Sequence, residues 1–230
     1  MNNKENKLQV LRKEYEKKSF TTKEAKKLGI SSRMLSFYIK EGKLERIGRG
    51  LYIFPGFDSE DDFGYQDLAL RAKSIKSSVI CLISALNFWD ITEDIGREFW
   101  LAIPNNHAIP QTAKNTRFIR PRDLETGVEE IIIAGQEVKI TTAERSVCDA
   151  FKFLPEETAV TALRAYMSQE EEKINIEKLL TTAKVLKAYK VIEIIKEVAE
   201  ANAKDYPKIS RESFTAYLQW LSKNNGKNCE

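Results

Sequence analysis

Few residues in this chain have the types and spacing that catalysis or metal binding needs. The one histidine, His107, stands in IPNNHAIP between Pro104 and Pro110. A Ser-His-Asp triad or a histidine-rich metal site would have to be built on it alone, and its proline-bracketed setting reads as an ordinary loop. Asp123, thirteen further residues, then Glu137-Val138-Lys139 has the spacing of metal-dependent nucleases. There, carboxylates hold Mg²⁺ and a lysine serves the attacking water. In a chain with 31% charged residues, a solvated hairpin face accounts for the same three residues. Cys81, Cys148 and Cys229 are odd in number and far apart, so neither a disulfide framework nor a paired-cysteine metal site is expected. Neither GxxxxGK[ST] nor GxGxxG occurs, which removes the common phosphate-cradling loops.

A second set is more coherent, and its chemistry is recognition. At 100° per residue along a helix from Ser32 to about Glu41, Leu35, Tyr38 and Ile39 point one way and Arg33, Ser36, Phe37 and Lys40 the other. The first group is core. The second offers cations and a hydroxyl to phosphates and base edges, and a ring able to touch a thymine methyl. Ser31 and Ser32 at the helix start can bond a phosphate together with the N-terminal amides. Thr22 is grouped with them. Arg46 and Arg49, on and between the strands that follow, can reach backbone phosphate or a narrow minor groove.

The elements that must position these residues are legible. Leu8, Leu11 and Tyr15 form the apolar stripe of a helix over residues 4–18. Thr21 or Thr22 is placed to cap a helix over Lys23–Leu28, and Gly29 suits a left-handed turn. Ile30 plugs the core, Ser31 caps the next helix, and Gly42 ends it. The period then changes to two: residues 44–47 and 51–54 are short strands around Gly48-Arg49-Gly50. Helix, Gly-containing turn, helix, hairpin is the order of a winged helix-turn-helix.

Charge separates along the chain. Residues 1–56 carry 14 Lys and Arg against 6 Glu, a net +8, while the remaining 174 carry 23 basic and 28 acidic side chains, a net −5. A basic unit attracts polyanions and an acidic one is repelled by them. Pro55-Gly56 and FDSEDDFG mark a boundary near residue 58. The expected architecture is α+β: a winged helix-turn-helix over 1–58, then a mixed α/β domain over 59–230 with a helical tail (171–230). Within it, helices are expected at 65–76 and 79–89, the first residues of the latter with strand character. Strands are expected at 99–103 and 116–120, and a hairpin at 128–134 and 138–141. Thr142 would cap a helix over 143–151, and further helices follow at 157–168, 176–188, 189–203 and 210–223. Trp89 and Trp100 read as core, Glu156, Glu157 and Glu170–Glu172 as helix starts and solvated faces, and Arg145 with Asp149 as a modest internal pair.

The segment FTTKEAKKLGISSRMLSFYIKEGKLERIGRGLYIFPG, residues 20–56, resembles the N-terminal winged-helix domain of the AbiEi antitoxins of type IV toxin–antitoxin systems, linked to abortive phage infection and phage defence. Ser84-Ala85-Leu86 with Trp89, the Phe99–Pro104 strand and Thr141–Asp149 occupy places matching the family's C-terminal antitoxin domain. The resemblance implies a bacterial transcriptional autorepressor that binds inverted repeats in its own promoter. It also implies a C-terminal domain that counters a nucleotidyltransferase-like toxin, with or without a stable complex. It transfers no antitoxin-active residue.

Three readings remain at this point: a DNA-binding autorepressor and antitoxin without enzymatic activity, a metal-dependent nuclease with a winged-helix targeting domain, and a ligand-responsive repressor. The first expects double-stranded DNA and a toxin as partners and no cofactor. The longest apolar stretch, Val79–Trp89, is half the length a bilayer crossing needs, and MNNKENKLQV lacks a signal-like apolar core. No membrane association and a cytoplasmic location are expected.

Overall fold

A computed structural model describes residues 3–16, 18–48, 50–56, 65–94, 96, 98–109 and 115–200. The chain is mixed α+β and forms two compact units. The first comprises Met1–Ser78, Asn106–Asn115 and Glu130–Lys139, and the second Val79–Asn105, Thr116–Glu129 and Ile140–Glu230. The boundary expected near residue 58, the helix expected over 210–223, and Cys229 lie outside the described residues.

In the first unit, α1 (Asn3–Tyr15) precedes β1 (Phe20–Thr21), α2 (Thr22–Lys27), α3 (Ser32–Lys40), β2 (Glu45–Gly48), β3 (Leu51–Ile53) and α4 (Gln66–Ser74). The three strands form a sheet in the order β1-β3-β2, antiparallel throughout. Thr21 caps α2 in a full capping box: its hydroxyl accepts the Glu24 amide, and the Glu24 carboxylate accepts the Thr21 amide at 2.6 Å. Gly29 (φ +73°) makes the left-handed turn that a side chain would strain, and Ser31 caps α3 by accepting the Met34 amide. Leu11, Phe20, Ala25, Ile30, Leu35, Tyr38, Leu44, Tyr52 and Phe54 form the core. The strand β1 was not expected: two residues carry no period, and Phe20 reads in sequence only as part of a helix entry. It exists because Phe20 and Thr21 pair with Tyr52 and Leu51.

From Val79 on, the chain forms β4 (Val79–Ile80), α5 (Leu82–Phe88), β5 (Phe99–Ala102), β6 (Thr116–Ile119), β7 (Val128–Ile133), β8 (Gln136–Thr141), α6 (Ala143–Phe153), α7 (Glu156–Met167), α8 (Ile176–Val185) and α9 (Tyr189–Glu200), of which most of β7 and β8 belongs to the first unit. A five-stranded sheet runs β6-β5-β4-β8-β7. The helix expected over 79–89 begins only at Leu82, and its first residues are the strand they could have been. Val79 and Ile80 are central to the sheet, between Ala102 and Leu101 on one side and Ile140 on the other, and an apolar run by itself does not separate the two.

As expected, Thr142 caps α6, with its hydroxyl accepting the Arg145 amide. The helices after it are not an appended tail. Leu163, Tyr166, Leu179, Leu180 and Val191 pack with Leu86, Val147 and Cys148 into the core of the second unit. Trp89 and Trp100 flank that core.

Arg145 is more than a modest pair. Its guanidinium is 2% exposed and bonds Asp149 Oδ2 at 2.7 Å, the Asp123 carbonyl at 2.9 Å and the Thr126 carbonyl. Gly127 (φ +63°) lets the backbone approach it, since a Cβ there would stand 2.8 Å from Arg145 Cβ.

Candidate nucleic-acid interface

The outward face of α3 is the one the helical period assigns. Leu35 and Tyr38 are buried, Ile39 packs against the core from its edge, and Arg33, Ser36, Phe37 and Lys40 are exposed. Those four fall within an arc of about 100° on an ideal helix. Ser31 and Ser32 are exposed at the helix start. The Ser31 hydroxyl accepts the Met34 amide at 3.3 Å, leaving its own proton to donate, and Ser36 donates back to the Ser32 carbonyl at 3.1 Å. Arg46 is exposed on β2, opposite Tyr52 in the ladder. Arg49 lies outside the described residues.

Two side chains stand differently from their reading in sequence. Thr22 is half-buried: its amide donates to the Gly50 carbonyl at 2.9 Å and its hydroxyl reaches the same oxygen at 3.4 Å. It ties the start of α2 to the β2–β3 hairpin, so its hydroxyl proton serves the scaffold before any ligand. Phe37, 37% exposed, is not a bare ring. Lys4 Nζ stands 4.3 Å over its centroid, and Tyr38 meets it edge-on at 5.8 Å.

Sequence reasoning missed α1 as part of this face. The Tyr38 hydroxyl donates to the Lys4 carbonyl at 2.6 Å, and Lys7 Nζ donates to the Gly29 carbonyl at 2.9 Å. The first turn of α1 is thereby fastened to α3 and to the turn before it, and Lys4 joins Arg33, Ser36, Phe37 and Lys40. The Leu8-Leu11-Tyr15 stripe announces a helix, but no local spacing says where its N-terminus lies.

Asp123 and Lys139 of the nuclease set each have partners of their own. The Asp123 carboxylate accepts the Glu125 and Thr126 amides, both at 2.9 Å, closing its own turn. Burial works to raise its pKa, but the Thr126 hydroxyl, these two amides and the Arg145 charge outweigh it and hold the carboxyl at about 2. Lys139 pairs with Glu130 at 3.3 Å. Lys139, Glu130 and Glu137 line a groove of about 290 Å³ with Lys73 and Lys76, cations and carboxylates interleaved. Among the described residues, no three His, Cys, Asp or Glu side chains are grouped to hold a metal ion. His107 is half-buried in an irregular segment. Cys81 and Cys148 are buried thiols whose pKa burial pushes up, the opposite of an activated nucleophile.

Residues 11–55, from α1 through β3, match the model of a family described as transcriptional regulator, AbiEi antitoxin. Over that segment, about a fifth of its length, the chain is similar to the AbiEi antitoxin regulators. A search of curated proteins found no match. The matched AbiEi segment contains every recognition residue named from the sequence, together with Lys7's partner Gly29, while Lys4 and Lys7 precede it. No helix among the described residues is long and apolar enough to cross a membrane.

Proposed function

We propose that this protein is a transcriptional autorepressor and antitoxin whose residues 1–58, as a winged helix-turn-helix, bind inverted repeats in its own promoter. On this reading α3 enters the major groove, with Arg33, Ser36 and Phe37 at base edges and Lys40 at phosphate. Ser31 and Ser32 hold a phosphate at the helix start, and Arg46 and Arg49 belong to the wing. The observation that carries it is the exposed face of α3, polar and cationic around a ring, on a helix whose other side packs on the core through Leu35, Tyr38 and Ile39. The similarity of residues 11–55 to a family described as transcriptional regulator, AbiEi antitoxin, supports the regulator and antitoxin roles. We assign DNA binding to residues 1–58, toxin neutralisation to residues 59–230, a nucleotidyltransferase-like toxin of type IV systems as the partner, and the cytoplasm as the location. The protein performs these roles by binding, with no catalysis of its own.

Two readouts in one strain test this. A reporter behind the chain's own upstream DNA should be repressed by the full chain and derepressed by Arg33→Ala/Lys40→Ala. Growth arrest by the adjacent toxin gene should be relieved by either protein. Repression that survives the double substitution, or arrest that the full chain does not relieve, contradicts the assignment.

A further inference from the structure

Hairpin tips are ordinarily polar and solvated, but the tip between β7 and β8 is not. Ala134 and Gly135 form a two-residue turn with φ of +47° and +70°, the pattern in which Asn-Gly is favoured. Alanine stands where a left-handed conformation is costly, and it is buried, as is Gln136 at 1% exposure.

Gln136 Oε1 accepts both donors of buried Ser19, the amide at 3.1 Å and the hydroxyl. Ser19 and Gln136 are 117 residues apart in sequence and belong to the same compact unit. Lys73 Nζ, from α4, reaches the next carbonyl, that of Glu137, at 3.4 Å.

Ser19 is the residue before β1, and β1 is only two residues long. Three things depend on where it starts: the Phe20–Tyr52 and Thr21–Leu51 pairing to the β2–β3 hairpin, the Thr21 cap of α2, and the Thr22–Gly50 bond. A short edge strand is held by few ladder bonds, so a buried acceptor that takes both Ser19 donors fixes it far more than one exposed bond would.

Resting on the DNA-binding reading above, we propose that Gln136 is a positioning residue for the DNA-binding unit. The 134–136 tip is a remote third piece of that unit, and through Ser19 it sets the geometry between α2, α3 and the β2–β3 hairpin. It touches no DNA itself.

The experiment uses the full chain and duplex DNA from its own upstream region, titrated by fluorescence anisotropy at several salt concentrations, with amide exchange read on the same proteins. Gln136→Leu strands both Ser19 donors. It should weaken binding about tenfold, leave the slope of log affinity against log salt unchanged because the phosphate contacts are kept, and speed exchange at Phe20, Thr21 and Thr22. Ser19→Ala keeps the amide donor to Gln136 and should lose less affinity than Gln136→Leu. Ser19→Ala combined with Gln136→Leu should be no worse than Gln136→Leu alone. Wild-type affinity and unchanged exchange at Phe20–Thr22 in a folded Gln136→Leu protein overturn the assignment alone. A flat titration with the unmodified chain overturns the DNA-binding reading, and this assignment with it.

Discussion

Lys4 Nζ stands 4.3 Å over the ring of Phe37, on the outward face of α3, and the Tyr38 hydroxyl holds the Lys4 backbone in place at 2.6 Å. The cation comes from the first turn of α1, and the ring from the middle of α3. On the proposed DNA-binding reading the interface is composite, and one of its charges comes from α1 rather than from α2 or α3.

On that reading Lys4 takes a measurable share in binding. Lys4→Ala should lower the salt slope of DNA binding by about one, and Lys4→Arg should keep it. A slope unchanged in Lys4→Ala would make the contact with Phe37 a packing interaction only.

Phe37 reads differently from Lys4 in the same assay. Phe37→Ala removes a ring and no charge, so the salt slope should stay as it is. Discrimination between the upstream sequence and random duplex should narrow, by about 1–3 kcal/mol if the ring meets a base pair directly. A uniform loss on both duplexes would place Phe37 in the scaffold.

The helix α3 and its two faces were legible because their signals are local. Ser31 as cap, Gly29 and Gly42 as stops, and a clean division of Leu35 and Tyr38 from Arg33, Ser36 and Lys40 all lie within a dozen or so residues. The capped start of α6 at Thr142 and the β7–β8 hairpin were legible for the same reason. What was not legible is what depends on distant partners. The strand β1 exists only through β3, Thr22 serves Gly50 rather than solvent, and Gln136 reads as one more polar hairpin residue until Ser19 is found beside it. Arg145 announces an i,i+4 pair with Asp149, but not the two carbonyls from residues 123 and 126 that complete its burial.

Arg145 is the residue whose loss the second unit should tolerate least. Arg145→Ala leaves the Asp149 carboxylate, 3% exposed, without its counter-ion and frees two carbonyls. We expect a cost of about 3–5 kcal/mol in denaturant unfolding. A loss under about 1 kcal/mol, the range of an exposed pair, would show that the burial of this ion pair contributes little.

Acid should act through Asp123. Its carboxyl, held at about 2 against an ordinary 3.8, is depressed in the folded chain. It therefore contributes stability that is present above about pH 4 and is lost as pH falls toward about 2. Asp149 is shifted the other way, raised by burial against the pull of Arg145, and is common to both proteins in the comparison that matters. Asp123→Asn keeps an acceptor for the Glu125 and Thr126 amides but cannot titrate. Its urea midpoint should fall less than that of the unmodified chain between pH 5 and pH 2.5. Parallel falls would mean that the turn does not depend on the charge of Asp123.

The most direct measurement is the affinity of the full chain for its own upstream duplex as salt is raised, beside Arg33→Ala/Lys40→Ala. Binding at low salt, a steep linear fall of log affinity with log salt, and a slope shallower by about one in the double variant, from the loss of Lys40 at phosphate, are expected. No binding at low salt, or identical slopes for the two proteins, would contradict it.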